Sequence, residues 1–183
     1  MNPFENYKSE LDLVRQNPSL LENYRFEIGI NNSNHYERLR LNIAIYNDMK
    51  DTDYEIVRFL FNEERKWREY DNDSVYDEFY GDFENLYFSG FLLSLFKLPE
   101  NIWIFWDTKN IDMDSSMGFD GEYLVSAGVK ETYQYLNTIV HSSKDNILEY
   151  LGKTENDCYF TESHIERWRE FKHEYFRIHK FDK

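Results

Sequence analysis

Apolar side chains recur at intervals of three and four residues along most of this chain, and that spacing constrains its fold more than any other feature. Residues at such intervals share one face of an α-helix, and a globular protein turns that face towards its core. The clearest stripe lies near the C-terminus and faces away from a row of Arg and Glu residues. Its members are Ile165, Trp168, Phe171, Tyr175 and Ile178. The spacing predicts a long amphipathic helix that begins near Ser163.

Three capping boxes predict where helices begin. In each, a hydroxyl side chain can accept a hydrogen bond from the first turn, and a Glu three residues later can reach back to the cap. The pairs are Ser19 with Glu22, Thr52 with Glu55, and Ser163 with Glu166. With the apolar spacing, they predict helices at 4–15, from 19, from 52, at 74–97, 101–109, 119–127, 129–140 and 145–151, and from 163. A polar loop is expected at 110–118. Gly128 is expected to end the helix at 119–127 as its C-cap.

The apolar positions also predict which faces are buried. The helix after Thr52 should bury one face, and the segment 74–97 is apolar on two sides, which is typical of a central helix. The predicted inward residues of the first are Ile56, Val57, Leu60, Phe61, Glu63 and Trp67, and those of 129–140 are Val129, Tyr133, Leu136 and Val140.

The segment 24–46 is compatible with two structures. Its apolar residues alternate with polar ones on both sides of an Asn-rich turn, as in a β-hairpin. The capping box at Ser19 instead favours a helix that carries Ile28 on its apolar face, and Leu39 and Ile43 are also helically spaced. We expect helix here, with a small β-hairpin around 24–46 as the alternative.

The resulting fold class is mainly all-α. Successive helices joined by short polar turns are typical of stacked αα-hairpins, in a repeat-like α-array or an irregular helical bundle. The interval between the capping boxes at Ser19 and Thr52 is of the length found in helical repeats. The length of 183 residues fits a single helical domain over 1–183.

The composition restricts the class of partner and the compartment. The net charge of −14 argues against a protein that coats nucleic acid. Cys158 is the only cysteine, so no intrachain disulfide can form. The N-terminus has no basic or apolar targeting segment, and no apolar stretch is long enough to cross a bilayer. We therefore expect a cytoplasmic protein that does not bind membranes.

The sequence offers no convincing catalytic or metal site. The loop from Asp112 to Asp120 resembles an EF-hand at its first positions, but it lacks the central Gly and the final Glu. Asp120 is instead expected to cap the following helix. The histidines are too scattered to bind zinc and are expected to be exposed to solvent. Glycine-rich nucleotide motifs are absent from the sequence, so we expect no cofactor and no catalytic residues.

Nearly all the excess charge lies in one segment. Residues 69–122, here called the acidic segment, carry thirteen acidic side chains and only Lys97 and Lys109, a net charge of −11. Aromatic residues are interleaved with these acids and could anchor a protein contact. The predicted partner-binding residues are Tyr70, Asp71, Asp73, Tyr76, Asp77, Tyr80, Asp82 and Glu84.

These features favour a protein that binds another protein without catalysis. In its acidity and small size the chain resembles the immunity proteins that neutralise basic bacterial toxins, although no motif carries this likeness. Our first hypothesis is an immunity- or antitoxin-type inhibitor of a basic partner protein. The alternatives are a helical-repeat scaffold or regulatory subunit that binds a peptide, and an enzyme with a carboxylate-based site.

Overall fold

A computed structural model describes residues 3–28, 33–71 and 83–181 of the chain. These residues form helices and turns and include no strand, so the all-α prediction is confirmed. The chain divides into two compact units, unit 1 (Met1–Leu93) and unit 2 (Ser94–Lys183). Among the described residues no helix combines the length and the apolarity that a bilayer span requires.

Nine α-helices lie within the described ranges. They are α1 (Pro3–Gln16), α2 (Ser33–Asn47), α3 (Tyr54–Asp71), α4 (Phe83–Ser94), α5 (Ile102–Lys109), α6 (Met113–Gly118), α7 (Val129–Thr138), α8 (Lys144–Leu151) and α9 (Glu162–Phe181). Shorter 3₁₀ segments cover Pro18–Tyr24, Asp51–Asp53, Pro99–Asn101, Gly121–Val125 and Glu155–Asp157.

The hairpin alternative at 24–46 is wrong. The capping box at Ser19 does not open an α-helix either, since Pro18–Tyr24 is a 3₁₀ segment and Ile28 beyond it is exposed. The second half of the segment is the helix α2, in which Ile43 of the predicted helical pair is buried and Leu39 is half-buried. α2 packs against α1, against the 3₁₀ segment and against α3.

All four helices α1 to α4 contribute buried apolar residues to the core of unit 1. The predicted face of α3 is confirmed, since all six of its named residues are buried. Within the described residues the predicted helix 74–97 is present as α4, which ends at Ser94, three residues before the predicted end. It is buried on several sides, as expected of a central helix, through Leu86, Phe88, Phe91 and Leu92.

An arginine fixes the loop between α2 and α3 onto α1. The Arg15 guanidinium forms a two-point ion pair with Asp53, at 2.9 Å from Nε to Oδ1 and 2.7 Å from Nη2 to Oδ2. It also contacts the Asp48 carboxylate at 2.9 Å and donates to the Asp48 carbonyl oxygen. Asp53 itself accepts from the Lys50 backbone N–H at 2.9 Å. The turn before α3 is therefore closed by Asp53, and not by the predicted pair of Thr52 and Glu55.

In unit 2 the 3₁₀ segment Gly121–Val125 packs against α5, α7 and α9. We predicted an α-helix over 119–127, but only these residues are helical, with Tyr123, Leu124 and Val125 buried. The segment ends at Val125 with Ser126 as its C-cap, so Gly128 is not the C-cap that we predicted. Gly128 is instead the N-cap residue of α7, and its φ of 117° is accessible to glycine and strained for other residues. The predicted polar loop at 110–118 contains α6 instead.

The buried faces of α7 and α9 differ from the prediction at single positions. Val129, Tyr133 and Leu136 are buried as expected, but Val140 lies beyond the end of α7 and is exposed. On α9, Ile165 and Trp168 are buried, while Phe171 is 62% exposed and the fully buried aromatic is Phe176. The helix begins at Glu162, and Thr161 caps it by accepting from the His164 N–H at 3.2 Å, so Ser163 is not the cap.

We predict that Trp168→Ala lowers the free energy of unfolding by about 3–5 kcal/mol, the usual range for truncating a buried aromatic. The Trp168 ring packs edge-on against Tyr123, with centroids 4.9 Å apart, and is 7% exposed. Phe171→Ala on the same helix is the matched control and should cost less than about 1 kcal/mol. Urea denaturation followed by circular dichroism measures both. Equal losses would show that α9 does not pack through Trp168.

Candidate functional site

Two of the predicted contact side chains can be placed, and both lie in unit 1. Tyr70 is in the last turn of α3, 43% exposed, with its ring centroid 5.6 Å from that of Phe26. Glu84 is in the first turn of α4 and half-buried. Asp71 ends α3, and its side chain is outside the description. The remaining predicted residues, Asp73, Tyr76, Asp77, Tyr80 and Asp82, lie outside the described residues.

The part of the acidic segment that belongs to unit 2 is fully described, and two of its acids face inward. Asp120 accepts a hydrogen bond from Trp168 Nε1 at 2.7 Å, and Lys172 Nζ lies 2.7 Å from the same carboxylate oxygen. Glu122 lies 2.8 Å from His164 Nε2. The prediction that Asp120 caps the next helix is therefore wrong, because its carboxylate bonds to α9 instead.

Lys109 is also turned inward. Its ammonium group donates to the backbone carbonyl oxygens of Ser116 and Phe119, the second at 2.8 Å, and the residue is 8% exposed. Burial lowers the pKa of this ammonium group, while the nearby carboxylates of Asp120 and Glu122 act in the opposite direction. The lysine thus binds the C-terminal end of α6 and contributes little positive charge to the surface.

The N-terminal end of α6 is fixed by Asp112. Its carboxylate accepts from the Ser115 N–H at 2.7 Å. This bond makes Asp112 the N-cap of α6. Within the described residues no group of three or more His, Cys, Asp or Glu side chains could hold a metal ion. Of the residues of α6, only Ser115 is buried.

Three acids and two methionines between residues 100 and 117 are exposed. Glu100, Asp107 and Asp114 are exposed. Met113 and Met117 are 75% and 70% exposed. They lie one turn apart on α6 and so share a face. This combination was missed in the sequence, where the segment 110–118 was interpreted as a polar loop. The sequence feature that could have predicted this helix is the spacing of Met113 and Met117 after Asp112, a residue type that often caps helices.

A buried ionic cluster in unit 1 was also missed. Arg38 donates to Glu64 and to the Tyr24 carbonyl oxygen, the latter at 3.1 Å, and His35 Nδ1 lies 3.0 Å from the second Glu64 oxygen. The His35 ring packs against Trp67 with centroids 4.7 Å apart. His35 is therefore buried, contrary to the expectation that the histidines are exposed. Because Arg38 and Glu64 are both buried, each depends on the other as its counter-charge.

The other histidines lie in varied surroundings. His141 is exposed and stacks on Trp103 with ring centroids 3.8 Å apart. His164 is half-buried beside Glu122, and burial lowers the pKa of the half-buried His173. The side chain of His179 is outside the description.

No protein family, curated protein or solved structure matches this chain.

We predict that Glu64→Gln lowers the free energy of unfolding by about 3–5 kcal/mol, because Arg38 would stay buried without a counter-charge. Glu69→Gln is the control, since Glu69 is exposed and pairs with Arg65 only at 3.4 Å. It should change the stability little. Chemical denaturation measures both variants. A small effect of Glu64→Gln would mean that Arg38 does not depend on this carboxylate as its counter-charge.

We further predict that Lys109→Met destabilises α6 by about 1–3 kcal/mol, because two backbone carbonyl groups lose their charged donor. Hydrogen exchange should show faster opening of amides in residues 112–119, with smaller changes in α9. Lys153→Met, at an exposed lysine of the same unit, is the matched control. Unchanged exchange in α6 would mean that Lys109 does not hold this helix.

Proposed function

We propose that this protein is a non-enzymatic binding module, most concretely an immunity- or antitoxin-type inhibitor of a basic partner protein. The observation that carries the proposal is the net charge of −11 on the acidic segment, against −14 for the whole chain. A protein with its charge concentrated in this way attracts partners of opposite charge and accelerates their association.

The contacts in unit 2 support the proposal because they distinguish acids with internal partners from acids at the surface. Asp120 and Glu122 pair with residues of α9, whereas Glu100 and Asp107 are exposed. One of the two lysines of the segment, Lys109, is buried, so it neutralises little of this surface charge. The exposed part of the segment in unit 2 is therefore predominantly negative.

In unit 1, Tyr70 supplies an aromatic contact at the start of the acidic segment. Tyrosine is enriched among the residues that contribute most to protein interfaces. Its ring adds buried area, and its hydroxyl group adds a hydrogen bond. The Tyr70 ring is held by Phe26 and still partly exposed. A basic partner could be attracted by the acids and then anchored by this ring.

Replacing Asp71, Asp73 and Asp77 with Asn tests the proposal. If these acids form an interface, the variant should fold normally, since charges on an exposed surface contribute little to stability. It should associate about tenfold more slowly with a basic protein captured from native cell extract, and only at low salt, because salt screens the attraction beyond about 10 Å. Stopped-flow association rates at low and high salt measure the effect.

The matched control removes the same charge elsewhere. Glu149→Gln, Glu155→Gln and Glu170→Gln change three exposed acids outside the acidic segment. If the proposal is correct, this variant associates nearly as fast as the wild type. Equal slowing in both triple variants would contradict it, because only net charge would then matter. Wild-type rates in both would refute an acidic interface.

A further inference from the structure

We propose that α6 is a docking surface for a basic, amphipathic segment of the partner protein, formed by Met113 and Met117 with Asp107 and Asp114. This inference rests on the proposed function and names a contact surface that the predicted residues at 70–84 do not include. It is confined to unit 2, and all four of its residues are described.

The first argument is the exposure of the two methionines. Met113 is 75% exposed and Met117 is 70% exposed. A short helix that leaves two apolar side chains in water gains little from its own folding. Methionine is flexible and polarisable, so it adapts to different apolar partners and is frequent on binding surfaces. The two side chains lie one turn apart, which matches the spacing of apolar anchors on a helix laid against them.

The second argument is that α6 is fixed although it buries only Ser115. Asp112 caps its first turn, and the Lys109 ammonium group binds the carbonyl oxygens of Ser116 and Phe119. These polar contacts hold the helix without using its apolar side chains. A surface that is ordered before binding loses less entropy when a partner docks.

The third argument concerns charge, which selects the occupant. Asp107 in the last turn of α5 and Asp114 in α6 are exposed, and Lys109, two residues after Asp107, is buried. A partner with Lys or Arg beside its apolar residues would complement this surface. A second copy of the chain docked face to face would instead bring like charges together. We therefore commit to a basic segment of another protein.

The test uses methyl NMR with three synthetic helical peptides of equal length. The first has a leucine face flanked by lysines, the second replaces its lysines with glutamates, and the third keeps the lysines but replaces the leucines with serines. The half-buried Met49 of unit 1 serves as an internal reference. At low salt the Leu–Lys peptide should shift the methyl signals of Met113 and Met117, while the other two peptides shift them much less.

Substitution then quantifies the contact. Met113→Ser with Met117→Ser should weaken binding of the Leu–Lys peptide by about tenfold, as expected when two interface anchors are lost. The control replaces two other exposed apolar residues of unit 2, Val140→Ser with Tyr159→Ser, and should leave the affinity unchanged. Fluorescence anisotropy of the labelled peptide measures each dissociation constant.

The inference would be wrong if the Leu–Lys peptide left the Met113 and Met117 signals in place, or if it shifted the Met49 signal equally. It would also be wrong if the control pair of substitutions weakened peptide binding as much as the methionine pair. A dimer of the free protein that dissociates when the two methionines are replaced would overturn it as well. If the Leu–Lys peptide binds without moving the α6 methyl signals, α6 is not the docking surface. The proposed function would then still be judged separately, by the association rates of the triple Asn variant.

Discussion

Short helices leave many backbone groups without partners, and this structure satisfies them with charged side chains that come from elsewhere in the chain. Helix ends expose N–H and C=O groups that must be bonded or hydrated. In unit 2, Glu162 accepts from the Val129 and Lys130 N–H groups at 2.7 and 3.2 Å, and so caps α7 from the start of α9. In unit 1, Glu63 of α3 accepts from the Phe26 N–H at 2.9 Å, after the 3₁₀ segment ends. The fold of each unit depends on these long-range polar contacts as well as on its apolar core.

This constraint explains which features could be predicted from the sequence. Helix positions follow from local spacing, so α1, α5 and the buried face of α3 were predictable. Caps were not, because a box such as Ser19 with Glu22 shows only local candidates. In the structure Ser19 bonds to Asn17 at 2.7 Å, and Glu22 pairs with Arg25. Partners as distant as Glu162 and Val129 leave no periodic signal in a single sequence.

The candidate site illustrates the same limit for charge. The sequence shows how much charge the acidic segment carries, but not which acids have internal partners. Nothing in the sequence separates Asp120 from Asp107, whereas in the structure Asp120 binds Trp168 and Lys172 and Asp107 is exposed. The burial of Lys109 could not be predicted from the sequence either, since most lysines are exposed. The structure was therefore needed to tell exposed acids from acids with internal partners. It was also needed to identify the exposed methionines of α6.

Buried ion pairs and exposed acids should respond differently to salt, and this difference can be measured to test the proposed function. Ion pairs such as Glu64 with Arg38 are buried, so mobile ions cannot approach them and screening is weak. Exposed acids such as Asp107 and Asp114 interact through water, and their attraction for a partner is screened strongly. Salt should therefore weaken binding at concentrations much lower than those that affect the stability of the fold. A chain whose acids served only to hold its fold would show no such separation.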